Sequence, residues 1–308
     1  MYYGACHVRF AIETPASPPC IYEYDVLSKK IRFVSGNIDF PTNIQLRRFM
    51  VSSYDGTKVP LSLIYTEDSP LRDHSMRPAV LVGYGSYGEP LDLSFNPAFT
   101  PLLERGFVLA YAHVRGGGDL GRNWYHRGRL YEKPNAIHDY VACAHALCGK
   151  PLAITEPRKL TALGFSAAGV VVGAAANENP GVFGTVVLTH AFLDVKKTMN
   201  NDTLFLTAHE YEEFGDPKAD QKASQIMSSY CPVSNARRAE HSARFLLTGS
   251  LDDNQVPFYN LLIYGKAVRK NSQERHRVHI HIEPHGGHCV HPDLAALQAT
   301  FIIGNQAD

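Results

Sequence analysis

The chain has 308 residues, 44% of them hydrophobic, and its 30 basic and 30 acidic side chains give a formal net charge of zero. This balance argues against the strongly charged surfaces that bind nucleic acids or anionic membranes. No apolar run is long enough to span a bilayer, and the N-terminus lacks a signal-peptide pattern. We therefore expect a cytoplasmic protein with no nucleic-acid or membrane partner. Its six cysteines lack metal-ligand spacing, which indicates free thiols.

The first 65 residues have the pattern of antiparallel strands. Short segments that alternate between apolar and polar side chains are residues 9–12, 21–26 and 30–34. Two longer strands follow at residues 46–53 and 58–65. They flank Asp55-Gly56, a dipeptide typical of tight hairpin turns.

From residue 79 onward, strands alternate with helices. The predicted strands are residues 79–82, 107–114, 160–163, 185–188, 245–247 and 278–282. The predicted helices are residues 96–104, 135–147, 169–176, 258–269 and 293–303. This alternation predicts a mostly parallel sheet with helices on both faces, which is an α/β fold.

Residues 164–169, Gly-Phe-Ser-Ala-Ala-Gly, follow a predicted strand and precede a predicted helix. Strand, tight turn with a central serine, and helix are the context of a nucleophile elbow. The strained turn holds the serine hydroxyl above the sheet, so the residues two positions away must be small. Gly164 and Ala168 meet this requirement around Ser166, although Ala168 stands where a second glycine is usual. A serine-containing turn without chemistry is the alternative.

A serine nucleophile also needs a base and a carboxylate, and two loops after later strands offer them in the order Ser, Asp, His. Residues 249–257 contain Asp252 and Asp253, and residues 284–289 contain His285 and His288. The alternative roles are a helix cap for the aspartates and a solvated glycine-rich turn for the histidines.

A second histidine pattern raises the alternative of a metal site. His279 and His281 share one face of a predicted strand, and His285, His288 and His291 follow closely. No acidic or cysteine ligand pattern accompanies them, so we expect neither a metal nor a cofactor.

Several motifs, in their order along the chain, resemble the prolyl oligopeptidase family of serine peptidases. They are residues 84–88 (YGSYG), 113–121 (HVRGGGDLG), 124–125 (WY), 164–169 (GFSAAG), 192–195 (FLDV), 211–217 (YEEFGDP) and 230–232 (YCP). The oligopeptidase B branch is the most similar, followed by the prolyl endopeptidase-like protein. The resemblance runs from about residue 40 to the C-terminus.

The resemblance implies an α/β-hydrolase catalytic domain at residues 41–308. Residues 1–40 are then a short β remnant, the last strands of the propeller that family members carry ahead of the hydrolase. We therefore expect either a fragment of a longer protein or a form without this lid. The implied partners are short peptide substrates, and we expect a monomer or a weak homo-oligomer.

The resemblance also assigns catalytic roles. Ser166 is the nucleophile, Asp253 the acid and His288 the base, with Asp252 and His285 as second choices. The run Asp253-Asn254-Gln255-Val256 fits the family's pattern around the acid. The oxyanion is expected to meet the backbone N–H of Ala167 and the Tyr84 hydroxyl.

Substrate recognition is assigned first to Glu210 and Glu212. In an extended segment, residues two apart point to the same side, and paired carboxylates suit a guanidinium or ammonium group. An equivalent Glu-x-Glu pair in oligopeptidase B recognises Arg or Lys on the acyl side of the cut. The alternative is a solvated acidic surface.

Three further residues are assigned to substrate binding: Asp92, Phe214 and Tyr87. Ser94 replaces the second acid that usually accompanies Asp92, and Phe214 stands where the branch usually has tryptophan. The resemblance thus implies a serine oligopeptidase that cleaves after Arg or Lys. The alternatives are an esterase or thioesterase resembling the prolyl endopeptidase-like protein, and a non-catalytic regulatory protein.

Overall fold

The computed structural model describes residues 6–15, 17–36, 43–67, 76–204, 206–236, 240–272 and 277–306. Its strands are β1 (His7–Thr14), β2 (Ser17–Asp25), β3 (Lys30–Ser35), β4 (Ile44–Ser52), β5 (Lys58–Thr66), β6 (Ala79–Gly83), β7 (Val108–Ala112), β8 (Leu160–Phe165), β9 (Thr185–Thr189), β10 (Arg244–Ser250) and β11 (Val278–Glu283). Its α-helices are α1 (Thr100–Leu103), α2 (Arg122–His126), α3 (Lys133–Cys148), α4 (Ala168–Glu178), α5 (Val195–Met199), α6 (Thr207–Phe214), α7 (Gln221–Tyr230), α8 (Pro232–Asn235), α9 (Tyr259–Asn271) and α10 (Pro292–Gly304). Short 3₁₀ helices occupy Pro97–Phe99, Leu130–Glu132 and Pro157–Lys159.

The larger sheet has the strand order β11-β10-β9-β8-β6-β7-β5-β4. The strands from β11 to β7 pair in parallel, whereas β5 and β4 run antiparallel at one edge. Every side chain of β7 and β9 is buried, as expected for central strands that are covered on both faces.

Helices cover both faces of this sheet. On one face, α3 and α4 pack against the strands through side chains such as Ile137, Tyr140 and Val171. On the other face, α1 and α10 contribute Leu102 and Ile302 to a second cluster. The predicted α/β-hydrolase architecture, a mostly parallel sheet between helical layers, is confirmed. None of the helices in the described ranges combines the length and the apolar character needed to cross a lipid bilayer.

The smaller sheet has the antiparallel order β1-β2-β3 and is consistent with the predicted propeller remnant. Arg9 on β1 and Arg32 on β3 both donate to the Glu23 carboxylate on β2, which ties the three strands together. The predicted boundary between residues 40 and 41 lies outside the described residues.

Candidate active site

The carboxyl ends of five neighbouring parallel strands meet at one edge of the larger sheet. The residues that follow them are Tyr84 after β6, Ser166 after β8, His190 after β9, Asp253 after β10 and His288 after β11. Ligands and catalytic groups of open α/β sheets collect at this edge, because the loops there converge from parallel strands.

Ser166 occupies a strained turn between β8 and α4. Its φ of 56° lies in the left-handed region, which non-glycine residues rarely adopt. The Ser166 N–H donates to the Thr189 carbonyl at 3.0 Å, and its own carbonyl accepts the Phe192 N–H at 2.9 Å. A Cβ on Gly169 would lie 2.8 Å from the Phe192 nitrogen, so only glycine fits there. The predicted elbow geometry is therefore present.

Ser166, His288 and Asp253 form a continuous hydrogen-bonded chain. His288 Nε2 lies 2.8 Å from Ser166 Oγ, and His288 Nδ1 lies 2.8 Å from Asp253 Oδ2. The Asp253 and His288 side chains are only 1% and 7% exposed. This arrangement is that of a nucleophile, a base and an orienting carboxylate.

Asp253 is ionised despite its burial. Burial opposes the charged form, but hydrogen bonds from His190 and His288 and from the Val256 and Gln255 N–H groups hold the pKa of Asp253 well below its ordinary value. An ionised carboxylate only accepts hydrogen bonds, so Nδ1 of His288 carries a proton. The other ring nitrogen, Nε2, then faces Ser166 Oγ and can accept its proton.

The second-choice residues, Asp252 and His285, lie outside this chain. Asp252 is exposed and accepts the backbone N–H groups of Gly286 and Gly287, which shapes the loop that carries His288. The His285 side chain is 90% exposed.

Two residues that carry hydrogen-bond donors, Ala167 and Tyr84, line the same cavity as Ser166. Ala167 immediately precedes α4, where the first N–H groups have no acceptor within the helix. Tyr84 lines the same cavity as Ser166 and Ala167. Burial, followed by the charges of Glu210 and Glu89, raises the pKa of Tyr84 to about 12. Its hydroxyl therefore stays protonated and can donate to an oxyanion.

The cavity beside Ser166 has a volume of about 280 Å³ and combines an apolar wall with one carboxylate. The apolar side chains are Phe192, Leu204, Leu206 and Val256. The carboxylate is that of Glu210, whose Oε2 accepts a 2.8 Å hydrogen bond from the Tyr87 hydroxyl. Burial raises the pKa of Glu210, with a further contribution from the charge of Glu213.

The prediction that Glu210 and Glu212 lie on one side of an extended segment is wrong. Residues 207–214 form helix α6, in which residues two apart point about 200° away from each other. Glu212 is exposed and borders a different groove, beside Arg122 and Arg129.

Glu213, three residues on from Glu210, shares its face of α6 but is neutralised by a buried lysine. Lys133 Nζ lies 2.5 Å from Glu213 Oε1 and also donates to Ser86 Oγ and the Gly85 carbonyl. Glu213 Oε2 accepts the Tyr87 N–H at 3.1 Å. This buried pair holds residues 84–87 against α6. Glu210, in contrast, forms no salt bridge with any other residue that the structure describes.

The prediction that Phe214 binds substrate is also wrong. Phe214 is 1% exposed and packs edge-to-face behind Phe192 and Tyr87, because its position on α6 points it into the core. Asp92 accepts hydrogen bonds from Ser94 and lies in a neighbouring cavity of about 550 Å³. That cavity shares Tyr84 with the first one, so Asp92 lines a cavity next to that of Ser166 and not the same cavity.

Three residues of the site were not predicted from the sequence: His190, Lys133 and Glu213. His190 Nδ1 lies 2.8 Å from the same Asp253 oxygen that His288 contacts. A signal for it was available, since a histidine directly after a buried strand lies at the edge where the other site residues collect. No comparable local signal marks the Lys133–Glu213 pair, whose members are 80 residues apart.

Within the described ranges, His190, Asp253 and His288 form the one cluster with potential metal ligands close enough together. Their 2.8 Å contacts are ordinary hydrogen bonds and account for the cluster without an ion. His279 instead packs against Phe301, and His291 pairs with Glu283.

Comparisons with known proteins identify one family. Residues 93–300 match the family model described as "Prolyl oligopeptidase family". The chain is 36% identical to "Prolyl endopeptidase-like" of Xenopus laevis over 93% of this chain and 42% of that protein. It is 36% identical to "Protease 2" of Moraxella lacunata over 73% of this chain and 32% of that protein. The solved structure of oligopeptidase B from Trypanosoma brucei with covalently bound antipain superposes with a TM-score of 0.89 at 32% identity, over 99% of this chain and 44% of that chain. The chain thus spans less than half the length of these relatives.

Proposed function

Because the chain belongs to the prolyl oligopeptidase family, we propose that it hydrolyses peptide bonds through Ser166, His288 and Asp253. The observation that carries the proposal is the unbroken hydrogen-bonded chain from Ser166 Oγ to Asp253 Oδ2 beside an open cavity. We extend the proposal to substrate choice, with cleavage after Arg or Lys in short peptides.

In the first half of the reaction, Ser166 Oγ attacks the peptide carbonyl carbon while His288 Nε2 takes its proton. Asp253 holds the imidazole in the required tautomer and stabilises its cation. The carbonyl oxygen gains negative charge and accepts hydrogen bonds from the Ala167 N–H and the Tyr84 hydroxyl. His288 then passes its proton to the departing amine as the C–N bond breaks.

The second half of the reaction releases the acyl group from Ser166. His288 takes a proton from a water molecule, whose oxygen attacks the ester carbonyl. The bond to Ser166 Oγ breaks, the serine regains its proton from His288, and the carboxylic acid leaves.

Glu210 supports the choice of a basic residue on the acyl side. The apolar wall of the cavity suits the methylene groups of an Arg or Lys side chain, and the carboxylate suits the charged end. A half-buried carboxylate that forms no salt bridge within the described part of the chain gains most from a ligand that brings a positive charge. Glu213 does not compete for that ligand because Lys133 neutralises it.

The test compares three aminomethylcoumarin peptides that differ only on the acyl side, with Arg, Lys or Pro next to the fluorophore, together with a simple p-nitrophenyl ester. We expect faster release from the Arg and Lys peptides than from the Pro peptide. Faster cleavage after Pro would overturn the basic preference while keeping the peptidase. Hydrolysis of the ester with no peptide cleaved would favour the esterase alternative.

A further inference from the structure

Asp253 accepts hydrogen bonds from two histidines, and the proposed mechanism uses only one of them. Nδ1 of His190 and Nδ1 of His288 each lie 2.8 Å from the same oxygen, Oδ2. The other oxygen, Oδ1, accepts the N–H groups of Gln255 and Val256, each at 2.9 Å. Three donors therefore fix the carboxylate even without His288.

His190 is held in one orientation and one tautomer. Its side chain is 1% exposed, its φ of 48° is left-handed, and its N–H donates to the Thr248 carbonyl at 2.8 Å. Nδ1 carries a proton because it faces the ionised Asp253. Nε2 reaches no hydrogen-bond partner among the described residues, so a second proton there would be buried without an acceptor. His190 therefore donates to Asp253 through Nδ1.

His288 is anchored differently. It follows Gly287, whose φ is 60° and where an added Cβ would meet no other atom within 4 Å, so this loop is open to solvent. During the reaction, the His288 ring must exchange a proton first with Ser166 and then with the leaving group. A fixed partner for Asp253 is useful under these conditions, because it keeps the carboxylate in place while the charge on the His288 ring changes.

We propose that His190 is a positioning residue of the triad: its Nδ1–H holds the Asp253 carboxylate in the orientation that receives His288. This inference rests on the proposed function. His190 does not contact the reacting atoms and acts through Asp253. A left-handed backbone at a buried histidine agrees with this role, since such strain persists where the surroundings require one side-chain position.

The hydrogen bond from His190 also reduces the negative charge that Asp253 Oδ2 presents to His288. The titratable groups in contact with His190 are Asp253 after β10 and His288 after β11, and β8 offers it the uncharged ring of Phe165. Removing the Nδ1 donor concentrates negative charge on Oδ2, which strengthens the attraction for the imidazolium of His288. The protonated, unreactive base then persists to higher pH.

The test uses three variants of the whole chain: His190→Asn, His190→Gln and His190→Leu. An asparagine amide nitrogen reaches the position of Nδ1, whereas a glutamine amide reaches toward Nε2 and leaves Oδ2 without this donor. The readout is the second-order rate constant for labelling of Ser166 by a fluorophosphonate probe, measured from pH 5 to pH 9. Circular dichroism and thermal unfolding establish that each variant is folded.

We expect His190→Asn to stay within about threefold of the unmutated protein, and His190→Gln and His190→Leu to react about tenfold to 150-fold more slowly, as for a lost hydrogen bond to a charged group. In these two variants the rise of the labelling rate on the acidic side of the pH profile, its acid limb, should have its midpoint at a higher pH than in the unmutated protein. If the Leu variant does not fold, the comparison of His190→Asn with His190→Gln still tests the role of the Nδ1 donor.

Equal rates and equal acid limbs for folded Asn and Gln variants would overturn the inference, because only one of them supplies the donor. Slow labelling in all variants without movement of the acid limb would also overturn it and indicate a packing role. If the unmutated protein reacts with the probe, the proposed function stands even when one of these two results overturns the role of His190. An unmutated protein that never reacts would overturn the proposed function and this inference together.

Discussion

Replacement of Glu210 by glutamine should remove the preference for a basic residue and leave other cleavage intact. The change keeps the size of the side chain and an acceptor oxygen but removes the charge that faces the cavity. A hydrogen bond to a charged group contributes roughly 1.5–3 kcal/mol, which corresponds to about tenfold to 150-fold in kcat/KM. Partial exposure of Glu210 weakens the interaction, so we expect about tenfold to fiftyfold.

The assay compares a peptide with Arg on the acyl side with the same peptide carrying citrulline, which is an uncharged isostere of Arg. Glu210→Gln should lower the Arg-to-citrulline ratio of kcat/KM, mainly by reducing the value for Arg. Glu212→Gln is the matched control, because Glu212 lies two residues away on the same helix but faces another groove. An unchanged ratio for Glu210→Gln, or an equal loss for Glu212→Gln, would refute the reasoning.

The pH dependence of this ratio gives a second check within the same assay. Burial raises the pKa of Glu210 above its ordinary value of 4.5. As the pH falls, Glu210 therefore takes up its proton earlier than an exposed glutamate would, and the preference for Arg should decline from a higher pH. In Glu210→Gln, the ratio should not vary with pH over this range.

Three further substitutions test other parts of the site. Asp253→Asn should lower kcat by about 10⁴-fold because it favours the wrong imidazole tautomer, whereas a comparable loss in Asp252→Asn would contradict the assignment. Tyr84→Phe should lower kcat about 10²-fold to 10³-fold with little change in KM, and an unchanged kcat would exclude its hydroxyl from oxyanion stabilisation. Lys133→Met should lower the free energy of unfolding in urea by about 3–5 kcal/mol because it leaves Glu213 buried and unpaired, and a loss below about 1 kcal/mol would show that the pair contributes little.

The elbow could be predicted from sequence because its requirements are local. A serine on a strained turn needs small neighbours and a strand and helix on either side, and all of these are contiguous around Ser166. The loops with Asp253 and His288 could be placed because each follows a strand. The choice between Asp252 and Asp253, however, came from a family resemblance, since both aspartates fit the loop equally well on sequence alone.

Helix α6 could not be predicted because its stability depends on distant contacts. A helix of eight residues is marginal by itself, and this one is fixed by the burial of Phe214 and by the ion pair between Glu213 and Lys133. The acidic sequence by itself does not favour a helix over an extended segment. The predicted direction of the Glu212 side chain was therefore wrong. His190 differs, because its position directly after a predicted strand placed it at the edge where the site residues collect. Only its contact with Asp253 depends on the strand order, which brings the end of β9 beside β10.

The most direct measurement of the central claim is covalent labelling of the unmutated chain with a fluorophosphonate probe, followed by mass spectrometry of the proteolytic digest. If Ser166 is the activated nucleophile, the probe should attach to the peptide that contains it, fluoride should be released, and Ser166→Ala should abolish labelling without unfolding the protein. Labelling that persists in Ser166→Ala, or a folded unmutated protein that does not react, would contradict the account.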